Sequence, residues 1–426
     1  MAITKGPLNG IRILDMTHMH AGPYGTMLLG DLGAEVIKLE SPTGDMMRMG
    51  NKEVTIENLY IIGINRNKKS LVLNLKGEYG KKAFYDLVRK SDVVYSNTRA
   101  EVPQRQGTDF NTLKKINPGI IRCNISGYGE TGPAIGYPSF DIIACGHSGI
   151  LSISGEPGKA PIIPGGIALA DMMGGIVGSM SVLAALVRRK MDGKGVQIET
   201  NLLDGLLLLQ QVMFQYYFLS GEEPGLQGKR HLFGPGYGIY DTKDSHITMC
   251  PDDHDKALKL IGLEWTLSDP RFAKPDNRVK NREELDKYIE DALLEKTTEE
   301  WIKLLRDQND LACGPVLNYE QIFNDPQVLH NKMIIEMELK GEKYNTLGSL
   351  FKLSKGNNQD LIEGTFESAP DLGANTDEIL KDILCYSDDM IEKIKAENVA
   401  YLQTRSEGAQ IIRMPSEEEI SEQSKE

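Results

Sequence analysis

Cysteines are few in this chain, and they follow no recognisable spacing pattern. Five of the 426 residues are cysteine, at positions 123, 145, 250, 313 and 385, and no two of them form a CxxC pair. An odd, scattered set disfavours a disulfide framework and favours reduced thiols in a cytoplasmic protein. The seven histidines likewise lack HExxH or any comparable spacing, so the sequence predicts no metal site.

The chain also lacks an excess of basic residues and an N-terminal targeting pattern. Its net charge is −13, which disfavours general binding to nucleic acids or to membrane surfaces. The first residues, MAITKGPLNGIRILD, do not show the basic-then-apolar order of a signal peptide. The apolar runs 172–187 and 202–219 are interrupted by glycines or polar residues, so they predict buried helices rather than membrane spans.

Strand-like and helix-like segments alternate through the first part of the chain. The predicted strands are IRILD (11–15), EVIKLE (35–40), SLVLNL (70–75), DVVYSN (92–97) and GIIRCNIS (119–126), with helical patterns between them. This alternation is typical of an α/β protein with a parallel sheet, whose ligands collect at the carboxyl ends of the strands. His18 and His20 follow the first strand, so both are expected to reach that crevice.

Two motifs resemble known fingerprints without their context. GYGETG (127–132) matches G-x-G-x-x-G, but Pro133, Gly136 and Pro138 follow where a dinucleotide site needs a helix, so we disfavour NAD or FAD binding there. GHSG (146–149) lacks the last glycine of a nucleophile elbow. The cations of NRNKKS (65–70), with Arg48, Lys76, Arg99 and Arg105, suggest instead a pocket for a phosphorylated ligand.

The stretch ALADMMGG (168–175) contains one charged residue, Asp171, in apolar surroundings. Aspartate is a favoured helix N-cap, and the residues after it read as a helix that ends at Arg188, Arg189 and Lys190. A carboxylate nucleophile at a positive helix end, with small neighbours admitting an electrophile, explains the pattern equally well. The local sequence leaves both roles open.

A family resemblance bears on this choice. The segments 7–48, 65–76, SGYGETGP (126–133), ALADMMGG and APDLGANTDEIL (369–380) occur in the order seen in family III CoA-transferases. This group includes the formyl-CoA:oxalate, carnitine and bile-acid CoA-transferases. The resemblance extends to about residue 400. It implies an interlocked, ring-like homodimer with no permanently bound cofactor, in which acyl-CoA and a carboxylic acid are the substrates.

The resemblance also implies the domain order. A large Rossmann-like CoA-binding domain is expected to begin with 1–220, and a linker with a smaller α+β domain to occupy 221–330. The segment 331–403 would return to complete the large domain, and a polar tail, 404–426, is expected to be disordered.

Individual residues match the family's motifs. Asp171 matches the catalytic aspartate, which attacks the thioester to form a mixed anhydride and then an aspartyl-CoA thioester. Backbone N–H groups near the helix start are expected to stabilise the oxyanions. The positions that match CoA contacts are His20, Leu73, Lys76, Asn97, Arg105 and Asp141. The expected acyl pocket comprises His18, Met19, Phe140 and, from a Gly-rich loop at 234–238, Gly236 and Gly238.

Two departures from related patterns constrain the reaction. Oxalate-type relatives have Gln where this chain has His20, which puts an oxalate substrate in doubt. α-Methylacyl-CoA racemases share the fold but place a histidine where this chain has Phe140, and a phenyl ring cannot transfer a proton. A CoA-transferase is therefore favoured over a racemase. A non-catalytic CoA-binding dimer is a third hypothesis, and the acids exchanged are not encoded in these motifs.

Overall fold

The computed structural model describes residues 6–48, 56–232, 234–339, 341–354, 360–362 and 366–410. The described residues form two compact units. The first unit is drawn from 1–144, 168–206 and 332–426, and the second from 145–167 and 207–331. The family resemblance predicts a large domain made of 1–220 and 331–403 with a small domain at 221–330, and the roles of these domains stay predictions. The bounds differ, since 145–167 and 207–220 lie in the second unit.

A parallel sheet forms the centre of the first unit. In the described residues it has six strands in the order β3-β2-β1-β4-β5-β6, and every neighbouring pair is parallel. The strand order is that of a doubly wound Rossmann sheet, which confirms the predicted α/β class. The strands are β1 (Arg12–Asp15), β2 (Glu35–Glu40), β3 (Lys68–Val72), β4 (Val93–Ser96), β5 (Ile121–Ser126) and β6 (Gln197–Asn201).

Two antiparallel sheets account for the other described strands. The second unit contains a sheet in the order β7-β8-β9, and the returning segment of the first unit forms the hairpin β10-β11. The strands are β7 (Gly238–Asp241), β8 (His246–Met249), β9 (Cys313–Pro315), β10 (Ile334–Leu339) and β11 (Glu342–Leu347).

Helices cover the sheets and connect the strands. In chain order, the described α-helices are α1 (Ala21–Asp31), α2 (Ile56–Ile64), α3 (Glu78–Arg89), α4 (Val102–Gln106), α5 (Phe110–Ile116), α6 (Asp141–Ser148), α7 (Leu169–Asp192), α8 (Leu202–Leu209), α9 (Gln211–Ser220), α10 (His254–Leu260), α11 (Pro275–Lys280), α12 (Arg282–Leu293), α13 (Thr298–Ile302), α14 (Tyr319–Phe323), α15 (Pro326–His330), α16 (Thr376–Glu378) and α17 (Asp388–Gln410). Short 3₁₀ or π turns cover Met46–Arg48, Ile150–Ile153, Glu264–Leu267, Lys303–Asp307 and Ile379–Ile383.

The sequence explains why these elements pack as they do. Strands β1 and β2 are almost entirely buried, as expected for parallel strands covered on both faces. Helix α1 ends before Gly33, whose φ of +96° is a left-handed conformation that favours glycine. One side of the sheet is filled by a cluster that includes Leu14, Ile37 and Phe84, all fully buried. Burying each such side chain stabilises the fold by about 1.5–3 kcal/mol.

Helix α7 is longer than the apolar run 172–187 that predicted it. By length and composition alone it could cross a membrane, and it is the one helix of the described residues that could. It packs against α1 and β5. Gly175 and Gly178 permit this approach, because a Cβ at Gly175 would lie 2.6 Å from the Ala21 carbonyl oxygen, and one at Gly178 would overlap the Tyr95 hydroxyl.

The second apolar run, 202–219, is only partly buried, and for most of it the prediction of a buried helix is wrong. It forms α8 and α9, which meet at Gln210, and α9 has no buried residue. Leu208, Phe218 and Leu219 are 60%, 69% and 81% exposed. No residues in the described part of the chain bury these apolar side chains.

The predicted C-terminal tail differs from the structure over its first residues. Helix α17 continues to Gln410, so residues 404–410 are helical rather than disordered. The remainder of the predicted tail, 411–426, lies outside the described residues.

Candidate active site

The crevice at the carboxyl ends of β1 and β4 brings several predicted site residues together. These two strands meet at the point where the strand order reverses, the usual ligand position in such sheets. Asn97, directly after β4, accepts a hydrogen bond from the His18 N–H at 2.9 Å and donates one to the His18 carbonyl oxygen at 2.7 Å. This pair of bonds fixes the loop that carries both histidines.

A buried ion pair holds the next residue of the same loop. Met19 has a φ of +66°, a left-handed conformation that is costly for a residue with a side chain. Its N–H donates to Asp45 Oδ1 at 3.2 Å, and Lys38 Nζ contacts Asp45 Oδ2 and the Thr17 carbonyl oxygen, both at 2.9 Å. The buried charges of Asp45 and Lys38 therefore hold the strained turn at Met19 in place.

A second buried pair lies beneath the loop. Lys68 Nζ donates to Asp15 Oδ2 at 2.9 Å, and both side chains are fully buried. Burial opposes the Asp15 charge, but Lys68 and Lys38 together lower the pKa of Asp15 to about 2. Burial lowers the pKa of Lys68 to about 8 in spite of its partner. Both groups are charged at neutral pH and fix the end of β1.

Asp171 lies in the first turn of α7, with its side chain 19% exposed. It does not cap the helix, so the capping interpretation is wrong: α7 begins at Leu169, two residues before Asp171. Burial, and then the charge of Asp141, raise the pKa of Asp171 to about 7. The ionised form of Asp171 is therefore less stable than that of an exposed aspartate near neutral pH.

The N-terminus of α7 is capped from a distance by Asp141. Its Oδ1 accepts hydrogen bonds from the backbone N–H groups of Ala170 at 2.7 Å and Asp171 at 3.2 Å. The N–H of Met172 donates to the Ala168 carbonyl oxygen. These three N–H groups are engaged, so the expectation that the helix start supplies oxyanion donors is wrong for them. The CoA contact expected of Asp141 stays a prediction.

His20 immediately precedes α1 and faces Asp171. Its Nδ1 lies 3.8 Å from Asp171 Oδ2, which is longer than a hydrogen bond. Nδ1 is buried and has no hydrogen-bond partner among the described residues. Tyr60 and Tyr24 contact the ring edge-on, with centroids at 5.2 and 6.0 Å. Burial lowers the pKa of His20 against the opposing effect of Asp141, so the imidazole is neutral at neutral pH.

A cavity of about 990 Å³ lies in the first unit at the same strand ends. Four of the predicted residues line it, namely His18, Leu73, Lys76 and Arg105. Lys81, Lys82 and Tyr401 line it as well. Burial lowers the pKa of Lys81, and Lys82 is paired with Asp86 at 2.6 Å. The cavity thus combines apolar walls with several cations.

None of the three cations in the NRNKKS motif lines this cavity, so the prediction of a phosphate pocket is wrong for them, although Lys76 and Arg105 of the same predicted group do line it. Arg66 bonds Asp31 at 2.6 Å and lies over the Phe366 ring. Lys68 is buried against Asp15, and Lys69 pairs with Glu378 at 2.7 Å. Arg48, grouped with them, pairs with the buried Glu40 at 2.7 Å. Carboxylates of the same chain therefore neutralise these four cations.

The remaining predicted pocket residues lie elsewhere. Phe140 is 60% exposed, and its carbonyl oxygen accepts the first hydrogen bonds of α6. Gly236 and Gly238 belong to the second unit. The Gly236 N–H donates to Asp286 at 3.1 Å, and Gly238 begins β7. The acyl-pocket role of these three residues stays a prediction.

The structure also shows the context of the GYGETG motif. GYGETG forms turns after β5, and the next helix, α6, begins only at Asp141, which agrees with the prediction against a dinucleotide fingerprint. Among the residues that the structure describes, no three His, Cys, Asp or Glu side chains are grouped to hold a metal ion.

Sequence reasoning missed several residues of this region. Lys81 follows Lys76 by five positions near the start of α3, a basic spacing that could have identified it. Tyr401, Lys38 and Asp45 gave no local signal, because their roles depend on contacts between distant segments.

Comparisons with known proteins agree with this geometry. The sequence model of CoA-transferase family III matches residues 8–376. The chain is 35% identical to an acetyl-CoA:oxalate CoA-transferase of Acetobacter aceti, over 78% of this chain and 86% of that protein. It is 33% identical to a succinyl-CoA:glutarate CoA-transferase of Mus musculus, over 92% of this chain and 90% of that protein.

Solved structures give the same result. A CAIB/BAIF family protein from Brucella suis superposes with a TM-score of 0.77 at 28% identity, covering 89% of this chain and all of that one. The protein Rv3272 from Mycobacterium tuberculosis superposes with a TM-score of 0.76 at 26% identity, covering 88% of this chain and 99% of that one. The chain therefore belongs to CoA-transferase family III and is a CoA-transferase enzyme.

Proposed function

We propose that the protein moves CoA from an acyl-CoA donor to a carboxylic acid through covalent intermediates on Asp171. The Asp171 carboxylate attacks the thioester carbonyl, the C–S bond breaks, and CoA leaves as a thiolate. The thiolate then attacks the aspartyl carbonyl of the mixed anhydride, which releases the donor acid and leaves an aspartyl-CoA thioester. The acceptor carboxylate repeats these two steps in reverse order and leaves with CoA, which regenerates Asp171.

The observation that carries this proposal is the placement of the Asp171 carboxylate, which is mostly buried in the first turn of α7 beside Asp141. Burial and the neighbouring Asp141 charge raise its pKa to about 7, so its ionised form is a stronger base and nucleophile than an exposed aspartate. Formation of the anhydride or the thioester converts this side chain to a neutral ester-like group. The covalent step thus removes a buried negative charge that Asp141 repels.

His20 is the side chain best arranged to act on the reacting group. Its buried Nδ1 has no hydrogen-bond partner among the described residues and lies 3.8 Å from Asp171 Oδ2. A neutral imidazole protonated at Nδ1 can donate a hydrogen bond to an acyl oxygen held at Asp171, and this bond strengthens as the oxygen gains charge. We assign His20 to this role in addition to the CoA contact expected from the sequence.

The cavity beside this site suits the nucleotide end of CoA. CoA carries several phosphates and an adenine ring, which require cations and flat apolar surfaces. Lys76, Lys81 and Arg105 line the cavity, and His18 connects its lining to the loop that carries His20. We therefore place CoA as the thioester substrate along this wall.

The acceptor is proposed to be a small dicarboxylic acid. The names of the relatives include oxalate, glutarate and mesaconate, which are all dicarboxylates. This class includes acids larger than oxalate, which is consistent with His20 standing where oxalate-type relatives have Gln.

The interlocked homodimer and the cytoplasmic location are also proposals. In the first unit, α7 carries apolar side chains that are more than half exposed, including Met180 and Val187. In the second unit, Phe218 and Leu219 of α9 are exposed in the same way. Exposed apolar faces of this kind are typical of surfaces that another chain covers, and a second copy is the expected partner. The scattered cysteines favour a reducing compartment.

Trapping tests the covalent mechanism. The protein is incubated with succinyl-CoA or acetyl-CoA, treated with hydroxylamine, and digested for mass spectrometry of the peptide that contains Asp171. We expect a mass change confined to Asp171 and no CoA transfer by Asp171→Ala, with Asp204→Ala, which alters another aspartate at the start of a helix, as the control. Full transfer by Asp171→Ala would exclude the mechanism, and binding of CoA without any transfer would favour the non-catalytic dimer.

A panel of acceptors then tests the substrate class. Transfer from succinyl-CoA is measured to oxalate, glutarate, mesaconate and monocarboxylic acids of matched length. A preference for the monocarboxylic acids would contradict the dicarboxylate proposal and leave the Asp171 chemistry intact. Exchange of the α-proton of a 2-methylacyl-CoA in deuterated water would instead support a racemase.

A further inference from the structure

One wall of the cavity comes from the C-terminal helix α17. Tyr401 lines the cavity together with Lys76, Lys81 and Arg105. Lys76 Nζ lies 5.8 Å from the centroid of the Tyr401 ring, within the range of a cation–π contact. Residue 401 lies beyond the segment 8–376 that matches the family's sequence model, so the match says nothing about this wall.

Helix α17 also holds the loop between β3 and α3, which forms the adjacent wall. Asn398 Oδ1 accepts from the Asn74 N–H at 2.9 Å, and Asn398 Nδ2 donates to the Val72 carbonyl oxygen at 3.1 Å. These bonds hold the backbone on both sides of Leu73, and Leu75 and Lys76 follow directly along the chain. All three residues line the cavity. The position of Lys76 therefore depends on α17.

A carboxylate from α17 occupies the start of α3. Glu397 accepts from the N–H groups of Tyr79 at 3.2 Å and Gly80 at 2.8 Å. Gly77 permits this approach, because a Cβ there would overlap the Glu397 carboxylate. The helix start is a natural anion site, and an internal anion already fills it. Phosphates in this cavity must therefore depend on the side chains of Lys76, Lys81 and Arg105.

We propose that Tyr401 contacts the adenosine end of the CoA substrate, and that Glu397 and Asn398 are positioning residues for this subsite. An aromatic ring beside three cations is the arrangement that binds a purine next to its phosphates. The inference rests on the proposed function, in which this cavity holds the nucleotide end of CoA. Tyr401 would add specificity for the nucleotide from a part of the chain that the family's sequence model does not cover.

The experiment measures binding of adenosine 3′,5′-bisphosphate by calorimetry, and the KM for an acyl-CoA and for the matching acyl-pantetheine, which lacks the nucleotide. Tyr401→Ala is expected to weaken nucleotide binding roughly five- to a hundredfold and to raise the KM for acyl-CoA similarly. The kcat and the KM for acyl-pantetheine should not change. Tyr401→Phe, which keeps the ring, should bind the nucleotide within about threefold of the wild type.

Val399→Ala is the matched control, since Val399 is 53% exposed on the same helix and does not line the cavity. Thermal unfolding checks that each variant folds. Glu397→Gln should raise the KM for acyl-CoA without changing kcat, whereas a purely structural role would lower the unfolding temperature and leave KM unchanged.

The outcomes separate this inference from the proposed function. Nucleotide affinity that is unchanged by Tyr401→Ala, or an equal loss of acyl-CoA and acyl-pantetheine turnover, would overturn the inference while Asp171-dependent transfer stands. If the proposed function itself were wrong, the wild-type protein would transfer no CoA from any of the donors tested.

Discussion

The carboxylates of Asp141 and Asp171 are linked through the backbone of a single helix turn. Asp141 Oδ1 accepts the Asp171 N–H at 3.2 Å, and its charge contributes to raising the pKa of the Asp171 side chain. One residue thus orders the start of α7 and destabilises the charged form of the residue beside it. Thirty positions separate the two in sequence, and only the fold brings them together.

Removing the charge of Asp141 should make Asp171 more acidic. In Asp141→Asn the amide oxygen can still accept the two N–H groups, while the repulsion is lost, so the pKa of Asp171 falls. We expect the acidic limb of the kcat/KM–pH profile to move to lower pH. Asp141→Ala is the comparison, because it loses both the charge and the cap, with a cost of about 1 kcal/mol in the free energy of unfolding. An unmoved acidic limb in Asp141→Asn would contradict this account.

The wild-type enzyme should gain activity as pH rises through about 7. Below that pH Asp171 is protonated in the folded protein and cannot act as a nucleophile. The rate of the first half-reaction, measured as CoA thiolate release from pH 5 to 9, should follow a single ionisation on this limb. A flat profile across that range would show that Asp171 ionises well below 7.

Asp171 should also lower the stability of the fold as pH rises. Its folded pKa, about 7, lies above the unfolded value of 3.8, so the folded state holds the extra proton between these values. The proton on Asp171 therefore makes its full contribution to the free energy of unfolding below about pH 4, and this contribution is lost as pH rises to about 7. Relative to Asp171→Asn, the wild type should lose up to about 4 kcal/mol of unfolding free energy across this window. Denaturant titrations at several pH values measure the difference, and parallel curves for the two proteins would refute it.

The Lys38–Asp45 pair should matter for both stability and catalysis. Lys38→Met leaves the buried Asp45 carboxylate without its cation, which we expect to cost about 3–5 kcal/mol in the free energy of unfolding. Lys38→Met combined with Asp45→Leu removes both charges and should recover much of that stability. The double variant also lacks the acceptor for the Met19 N–H, so its kcat should be lower than that of the wild type because the turn beside His20 is held only by Asn97. A double variant with wild-type kcat would show that the loop needs no such support.

Gly178 should be intolerant of even one added carbon. A Cβ at this position overlaps the Tyr95 hydroxyl, which is fully buried, so Gly178→Ala should cost about 1–3 kcal/mol. Adding Tyr95→Phe removes the obstructing oxygen and should restore part of the loss. Urea unfolding of the two single variants and the double variant measures the coupling, and strictly additive changes would contradict direct contact.

The sequence was most informative where local pattern and packing agree. Strand β2 occupies residues 35–40, as predicted, and the preceding helix ends just before Gly33. It was least informative where charges are paired across the fold. Lys68 and Arg66 look like exposed cations in the sequence, yet Asp15 and Asp31 neutralise them inside the protein.

The candidate site shows the same division. The family resemblance made Asp171 the candidate nucleophile, which stays a prediction, but neither its raised pKa nor the remote cap could be predicted. Both depend on Asp141, whose distance from Asp171 no periodicity encodes. The apolar run 202–219 predicted helical structure correctly and burial incorrectly for most of its length, because apolar composition alone does not show that a helix packs inside its own chain.

The bonds between α17 and the β3–α3 loop have a consequence for synthesis on the ribosome. Asn398 and Glu397 meet residues more than three hundred positions earlier in the chain. The central sheet strands emerge long before these partners, so the loop from Leu73 to Gly77 has no brace while the rest of the protein is being translated. The cavity lined by Lys76 and Tyr401 thus reaches its final shape only when α17 has left the exit tunnel, and nascent chains stalled before residue 397 are expected to bind adenosine 3′,5′-bisphosphate more weakly than the released protein.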